Sequence, residues 1–172
     1  EMLQRHSILP FFKSFVEPSR IQEVRHRLIY SDKSHAMTRI GINASNIKWP
    51  RFYRYCPKCL IEDHKHLAYS YWRRLFQLPG VQVCPKHCCY LQDSRYKLVA
   101  DRRHGFWDAS NIIPQENLTL IHVEPDERLF KLSLVMQQLL STKTPYITPI
   151  QWTIFYQQRI TGYGLVNGNR PD

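Results

Sequence analysis

The chain has 172 residues, 43% hydrophobic and 13% aromatic, enough for a buried core in one domain or two small ones and too apolar for a disordered chain. Its 24 lysines and arginines against 14 acidic residues give a formal charge of +10, which favours polyanionic partners, nucleic acid before anionic membrane. No stretch reaches the roughly 18 apolar residues of a membrane span, and residues 1–15 are too polar for a signal peptide, so the chain reads as soluble, unsecreted and cytoplasmic.

Nothing repeats at a period of 20 to 50 residues. Pro10 splits the first segment, whose abrupt opening suggests a piece of a longer protein. Residues Ser19 to Ser31 predict a helix, with Ser19 as cap, Gln22 three positions on as in a capping box, and Ile21, Val24 and Leu28 on one face. A shorter helix is expected from Ser34 to Ile40, stopped by Gly41. Leu60 to Leu78 carries the clearest helical period, through Leu60, His64, Leu67, Tyr71, Trp72, Leu75 and Phe76, and Pro79 and Gly80 end it. Val81 to Val83, Tyr90 to Val99 and Leu118 to Val123 predict short strands. A helix from Asp126 to Leu140 follows Pro125 and turns Leu129, Leu132, Met136 and Leu139 inward. A last helix runs from Pro149 to Ile160, carries Trp152, Phe155 and Tyr156, and finishes at Gly162.

The five cysteines, Cys56, Cys59, Cys84, Cys88 and Cys89, fall within 34 residues and are odd in number, unlike a secreted disulfide framework. Cys56-Pro-Lys-Cys59 and Cys84-Pro-Lys-His87 are two copies of one pattern. A two-residue gap lets both side chains of a tight knuckle reach one ion, and two knuckles supply the four corners of tetrahedral zinc. The expectation is one structural Zn2+ on Cys56, Cys59, Cys84 and His87, with Lys58 and Lys86 offsetting the excess thiolate charge. Cys88 or Cys89 could replace His87 as the fourth ligand; the repeated spacing favours His87. A redox dithiol lacks the strand-to-helix context such a motif needs and leaves His87 without a role.

These elements predict an α+β fold, mainly helical, in three stretches. Residues 1–48 form a helical N-terminal segment, 49–104 a zinc-knuckle core in which two Cys/His knuckles flank a helix, and 105–172 a short strand and helices that could begin a helix-turn-helix. The seam falls at 101–117, among Gly105, Asn111 and Pro114, where net charge changes from +11 over residues 1–104 to −1 over residues 105–172.

Nothing points to catalysis. A Cys/His nucleophile would compete with zinc for the same residues, no phosphate loop is present, and Glu62 and Asp63, adjacent on a helix, point about 100° apart and read as surface charge. Aromatic and basic residues interleave from Trp49 to Tyr55 and from Tyr69 to Arg74, which makes Arg51, Arg54, Arg73 and Arg74 candidate phosphate contacts wherever they are exposed. Phe52, Tyr55, Trp72 and Phe76 read first as cover for the zinc knuckles.

Three motifs in order, Arg54-Tyr-Cys-Pro-Lys-Cys59, Tyr71-Trp-Arg-Arg-Leu-Phe-Gln-Leu-Pro-Gly-Val81 and Cys84-Pro-Lys-His87, resemble the zinc-containing core of the TniQ family, more closely its TnsD branch of transposon target-site selectors. His6 to Phe12, His104 to Trp107 and Gln151 to Tyr156 extend the resemblance along nearly the whole chain. The resemblance implies a non-catalytic protein of the bacterial cytoplasm and nucleoid that binds double-stranded attachment-site DNA and recruits the transposon's AAA+ ATPase, which engages the transposase. Some relatives act instead as adaptors to an RNA-guided CRISPR effector. It also implies Cys56, Cys59, Cys84 and His87 as the zinc ligands. The family commonly has glycine after the histidine, where this chain has Cys88.

Overall fold

Helix-forming and helix-stopping residues alternate closely at the start of the chain, and the helices there are short. The structure is a computed structural model that describes residues 1–30, 36–42, 47–98, 108–113, 118, 123–142, 144–163, 166–167 and 170–171, and the statements below concern these. Helices α1 (Met2–His6) and α2 (Leu9–Phe12) precede α3 (Pro18–Tyr30). Pro10 sits in the first turn of α2, where a missing backbone N–H breaks no helical bond. Pro18 opens α3, one residue before the expected cap, and Ile21 and Val24 are its buried residues. The short helix expected at 34–40 is a 3-10 turn over Met37–Ile40; Gly41 closes it at φ 78, a left-handed position that costs glycine little.

Strand β1 (Phe52–Tyr55) leads into helix α4 (Pro57–Leu67), with Cys56 at the N-cap and Pro57 at the first helical position. The helix predicted through Leu78 ends eleven residues early, because Ala68 turns left-handed at φ 61 and donates its N–H to His64 O. Beyond it the chain is extended: Ser70 is buried, its N–H donates to the Ser110 hydroxyl and its own hydroxyl donates to Leu60 O at 3.1 Å. Side chains from elsewhere thus satisfy backbone groups that a helix would have satisfied locally. A 3-10 turn follows at Arg74–Gln77, burying Leu75, Phe76 and Gln77.

Gln77 explains why four residues suffice for β1. Its amide oxygen accepts from Arg54 N at 3.0 Å and its amide nitrogen donates to Arg54 O at 2.9 Å, occupying one edge as a neighbouring strand would. The other edge pairs antiparallel with β4 (Gln92–Lys97) in the register Arg54↔Asp93 and Tyr55↔Gln92, with an irregularity between Phe52 and Arg54. Between them β2 (Val83–Cys84) and β3 (Cys89–Tyr90) form a hairpin that places Cys84 opposite Cys89. The strands predicted at 81–83 and 90–99 therefore exist, shifted and divided.

A short helix α5 (Ala109–Ile112) is capped by Asp108. Helix α6 (Glu127–Ser141) starts from Asp126, whose carboxylate accepts from Arg128 N at 2.7 Å. Its Leu129, Leu132, Met136 and Leu139 are half-buried, and Ser133 and Leu140 are buried. Gly80, at φ 81, lies against Leu132 and Met136. Helix α7 (Pro149–Thr161) has a full capping box between Thr148 and Gln151, and the pair β5 (Val166–Asn167) and β6 (Arg170–Pro171) follows. The strand expected at 118–123 falls mostly outside the described residues, as does the motif at 104–107.

The architecture is α+β and mainly helical, as the sequence implies. Contacts group the chain into two compact units, Glu1–Pro10 with Ala44–Thr142, and Phe11–Asn43 with Lys143–Asp172. The stretches read from sequence as 1–48 and 105–172 are each divided between the two. In unit 1, Leu78, Val81, Val83 and Cys56 have no exposed surface. In unit 2, Val24 is fully covered and Phe15 stacks on Trp152 at 5.5 Å, which stacks on Tyr156 at 5.7 Å.

Candidate metal centre and basic ribbon

Local structure aims the four ligand candidates at one point. Cys56 caps α4, and its sulfur accepts from Cys59 N at 3.5 Å, so the first knuckle is a helix N-terminus whose amides and dipole favour negative sulfur. Cys84 ends β2, and the turn after it brings in His87, closed by Cys88 N–H to Cys84 O at 2.9 Å. His87 Nδ1 stands 3.4 Å from Cys56 Sγ, 3.3 Å from Cys59 Sγ and 3.7 Å from Cys84 Sγ; Cys59 and Cys84 sulfurs are 3.7 Å apart. All four ligand atoms lie within 4.8 Å of one another. Bond lengths of roughly 2.3 Å to sulfur and 2.0 Å to nitrogen give a tetrahedron with sulfur–sulfur edges of about 3.8 Å and sulfur–nitrogen edges of about 3.5 Å. The observed separations fit one ion.

The electrostatics agree. Cys56 is held down to about 2 by hydrogen bonds from the Cys59 and Cys84 thiols, against the opposing effect of burial, whereas the same kind of bonds and burial push Cys59 far up. The protein groups around them thus favour the Cys56 thiolate at the expense of Cys59, a conflict that a cation among the sulfurs would relieve.

Cys89 is buried with its sulfur 3.5 Å from Cys56 Sγ; burial first, then its bond to Cys56, raises the thiol to about 12. It can donate S–H to the Cys56 sulfur as a neutral thiol. Cys88 is exposed at φ 45. The four atoms that converge include His87 rather than either cysteine.

Glu62, expected as plain surface charge, has a specific place. Its Oε1 lies 2.9 Å from His87 Nε2, and its other oxygen accepts from Lys86 Nζ. Lys86 first, then His87, holds this carboxyl at about 2. With Nδ1 directed at the sulfurs, Nε2–H donates to the carboxylate and fixes ring and tautomer, the support that metal-bound histidines commonly have. Asp63, expected likewise at the surface, is buried and accepts two bonds from Arg73, Nη1 at 2.6 Å and Nη2 at 2.8 Å. These roles depend on what α4 faces in three dimensions, and sequence spacing carries no signal for that.

The four arginine candidates separate. Arg54 is half-buried and donates from Nη2 to Leu78 O at 2.5 Å; burial lowers its pKa. Arg73 is bound to Asp63 and lies 4.6 Å from the Tyr71 ring centre; burial lowers its pKa, and the Asp63 bonds and nearby negative charges more than offset that. Arg74 donates to Gln4 O, Ser7 O and Leu140 O. Arg51 is exposed. Strand alternation turns Arg95 and Lys97 of β4 to the open face, both exposed, and Leu98 N–H donates to Arg51 O beside them at 2.9 Å. A signal for them is present in the sequence, since Arg95-Tyr96-Lys97 repeats on a shorter scale the basic–aromatic alternation of residues 49–55. No helix among the described residues is long and apolar enough to cross a membrane.

Fold and site together define a small α+β module clamped by a Cys3His centre in a basic part of the chain. The sequence pattern of the TniQ family matches residues 1–91, which include all four ligand candidates, and the chain belongs to that family. Over 168 residues it is 27% identical to the transposon Tn7 transposition protein TnsD of Escherichia coli, a match covering 96% of this chain and 32% of that protein. The chain thus spans about a third of that relative's length.

Proposed function

We propose that this chain is a zinc-pinned recognition module of a transposition protein that selects the target site on double-stranded DNA and recruits the transposon's AAA+ ATPase. TniQ membership, with similarity to a transposition protein along almost the whole chain, is the observation that carries the reading. Three thiolates and an imidazole at tetrahedral spacing favour zinc, and four filled positions leave no place for a reacting water, so the ion is structural. Glu62 and Asp63, committed to His87 and Arg73, are held away from hydrolytic work. Recognition, not bond breaking, is the function.

DNA phosphates meet Arg95 and Lys97 on the open face of the β1–β4 ribbon and the exposed Arg51 at its end, while Arg54 and Arg73 are bound within unit 1 to Leu78 O and Asp63. Phosphate contacts set register and orientation; sequence is read at base edges. In unit 2, α7 exposes Ile150, Ile154 and Phe155, which supports a protein contact there, the ATPase in the first reading and a CRISPR effector if the chain is an adaptor.

The test is retention of attachment-site duplex against scrambled duplex at two salt concentrations, for the native chain and for a triple variant Arg51→Ala, Arg95→Ala, Lys97→Ala with its metal content verified. The slope of log K against log salt should shrink by about 0.9 for each phosphate that the variant no longer neutralises. An unchanged slope rules out the ribbon as the DNA surface, and equal binding to both duplexes rules out selection by this chain.

A further inference from the structure

Unit 1 contains a second feature, bordering the ribbon through Trp72, which stacks on Tyr53 of β1 at 4.8 Å. A cleft of about 680 Å3 is lined by residues of α1, the extended segment after α4 and the last turn of α6. Among its lining residues are Arg5, His6, Tyr69, Tyr71, Trp72 and Arg74, and among the described residues no carboxylate lines it. Tyr69 and Tyr71 stand 56% and 46% exposed, although such rings usually bury their faces.

Two adjacent arginines in this wall differ in a way that bears on its occupant. Arg73 is neutralised by the two-point pair with Asp63. Arg74 is half-buried, and its guanidinium is anchored only by backbone carbonyls, those of Gln4 at 2.6 Å, Ser7 at 2.8 Å and Leu140 at 3.2 Å. Carbonyl oxygens orient the cation without cancelling its charge. The cleft therefore sets the carbonyl-anchored Arg74 cation, with Arg5 at its rim paired to Glu1 at 3.0 Å, beside the exposed Tyr69 ring, and the ligand it suits has an anionic group next to a planar one. Its volume lies in the range of ligand pockets.

We infer that this cleft receives one unstacked nucleotide of a DNA strand, with the base against Tyr69 and the phosphate toward Arg74, Arg5 and His6. Pairing an aromatic platform with a cation is how single-stranded nucleic acid is held without regard to sequence. Extracting one base from a duplex is unfavourable, least so where pairing is already broken, so the cleft distinguishes distorted DNA from regular duplex. The inference rests on the DNA-binding reading above.

The metal-loaded chain is titrated with three probes: a single strand of mixed sequence containing 2-aminopurine, the same sequence as a duplex with that base bulged, and the fully paired duplex. We expect single strand and bulge to bind with quenching of the probe. Tyr69→Ala, at an exposed site whose loss leaves the fold intact, should weaken both about tenfold and change the paired duplex less than twofold, while Tyr69→Phe keeps native affinity. Arg5→Ala should weaken both in the same sense. Unquenched probe, or native single-strand affinity in Tyr69→Ala, overturns the inference while paired-duplex binding leaves the DNA reading standing. Failure of all three probes to bind takes both down together.

Discussion

Unit 1 and unit 2 order their chains by opposite means. In unit 1, order converges on one point: Cys56, Cys59 and Cys84 are 1% exposed or less, and Leu78, Val81 and Val83 are covered around them. In unit 2, helix α7 buries no residue completely and is held by scattered interactions, the Phe15–Trp152–Tyr156 stack, Ile147 N–H to Ser14 O at 3.2 Å, the Ser14–Thr144 hydroxyl pair and the Thr148 cap. Interactions of that kind contribute about 1 kcal/mol each and can be broken singly. A tetrahedral ion leaves all at once. An ion on the four converging side chains would give a rigid surface from few residues and make that surface depend on the metal.

Removing the metal should separate the units most widely. Structural zinc contributes roughly 10–16 kcal/mol of apparent binding energy, comparable to the whole stability of a domain, so chelation or Cys59→Ser should abolish amide protection across residues 52–97. Unit 2 carries no ligand, yet residues 44–142 are an insertion between its two halves. Once the insertion unfolds, closing a loop of that length costs unit 2 about 4 kcal/mol, and exchange in α3 and α7 should quicken by roughly a thousandfold while still being slower than in unit 1. Exchange mass spectrometry reads both. Unaltered protection in α7 would break the dependence through loop closure, and retained protection in 52–97 without metal would break the account of unit 1.

A smaller change tests the layer behind the ligands. Glu62→Gln keeps an acceptor for His87 Nε2–H but removes the charge, so metal affinity measured by chelator competition should fall about tenfold, with the fold retained at saturating metal. Native affinity would mean that the negative charge of Glu62 does not strengthen His87 as a ligand.

That bond shows where sequence reading stops. The Cys3His cluster was legible because each knuckle is local, two side chains three positions apart, and the pattern occurs twice. Helix α7 was legible between Pro149 and Gly162, whereas its capping box, Thr148 with Gln151, went unread although it too is local. Glu62 and His87 are 25 positions apart and meet only because α4 and the β2–β3 turn share an ion site. β1 was missed because its partners, β4 and Gln77, come from about 23 to 45 positions on. Residues 69–78 were misread because aromatic residues imitate a helical period, although Tyr69 and Tyr71 are exposed and the buried Ser70 bonds to Ser110. Periodicity reports which residues are apolar; tertiary hydrogen bonds decided the backbone there.

The smallest effect is expected at Cys88, and its sign is informative. The second knuckle closes with this residue at φ 45, a conformation that costs an L side chain about 1 kcal/mol. Glycine would remove that strain but give up more chain entropy on folding, roughly 0.5 kcal/mol or somewhat more, so Cys88→Gly should raise the stability of the metal-bound chain by a few tenths of a kcal/mol. Cys88→Ser keeps the strain and should change nothing measurable. Both variants should keep the full metal content, because the Cys88 thiol is exposed and lies outside the converging set. Denaturant midpoints at saturating metal order the three chains. Loss of metal from Cys88→Ser would return the thiol to the coordination sphere, and a destabilised Cys88→Gly would show that the turn is held by the metal strongly enough for the backbone strain not to be felt.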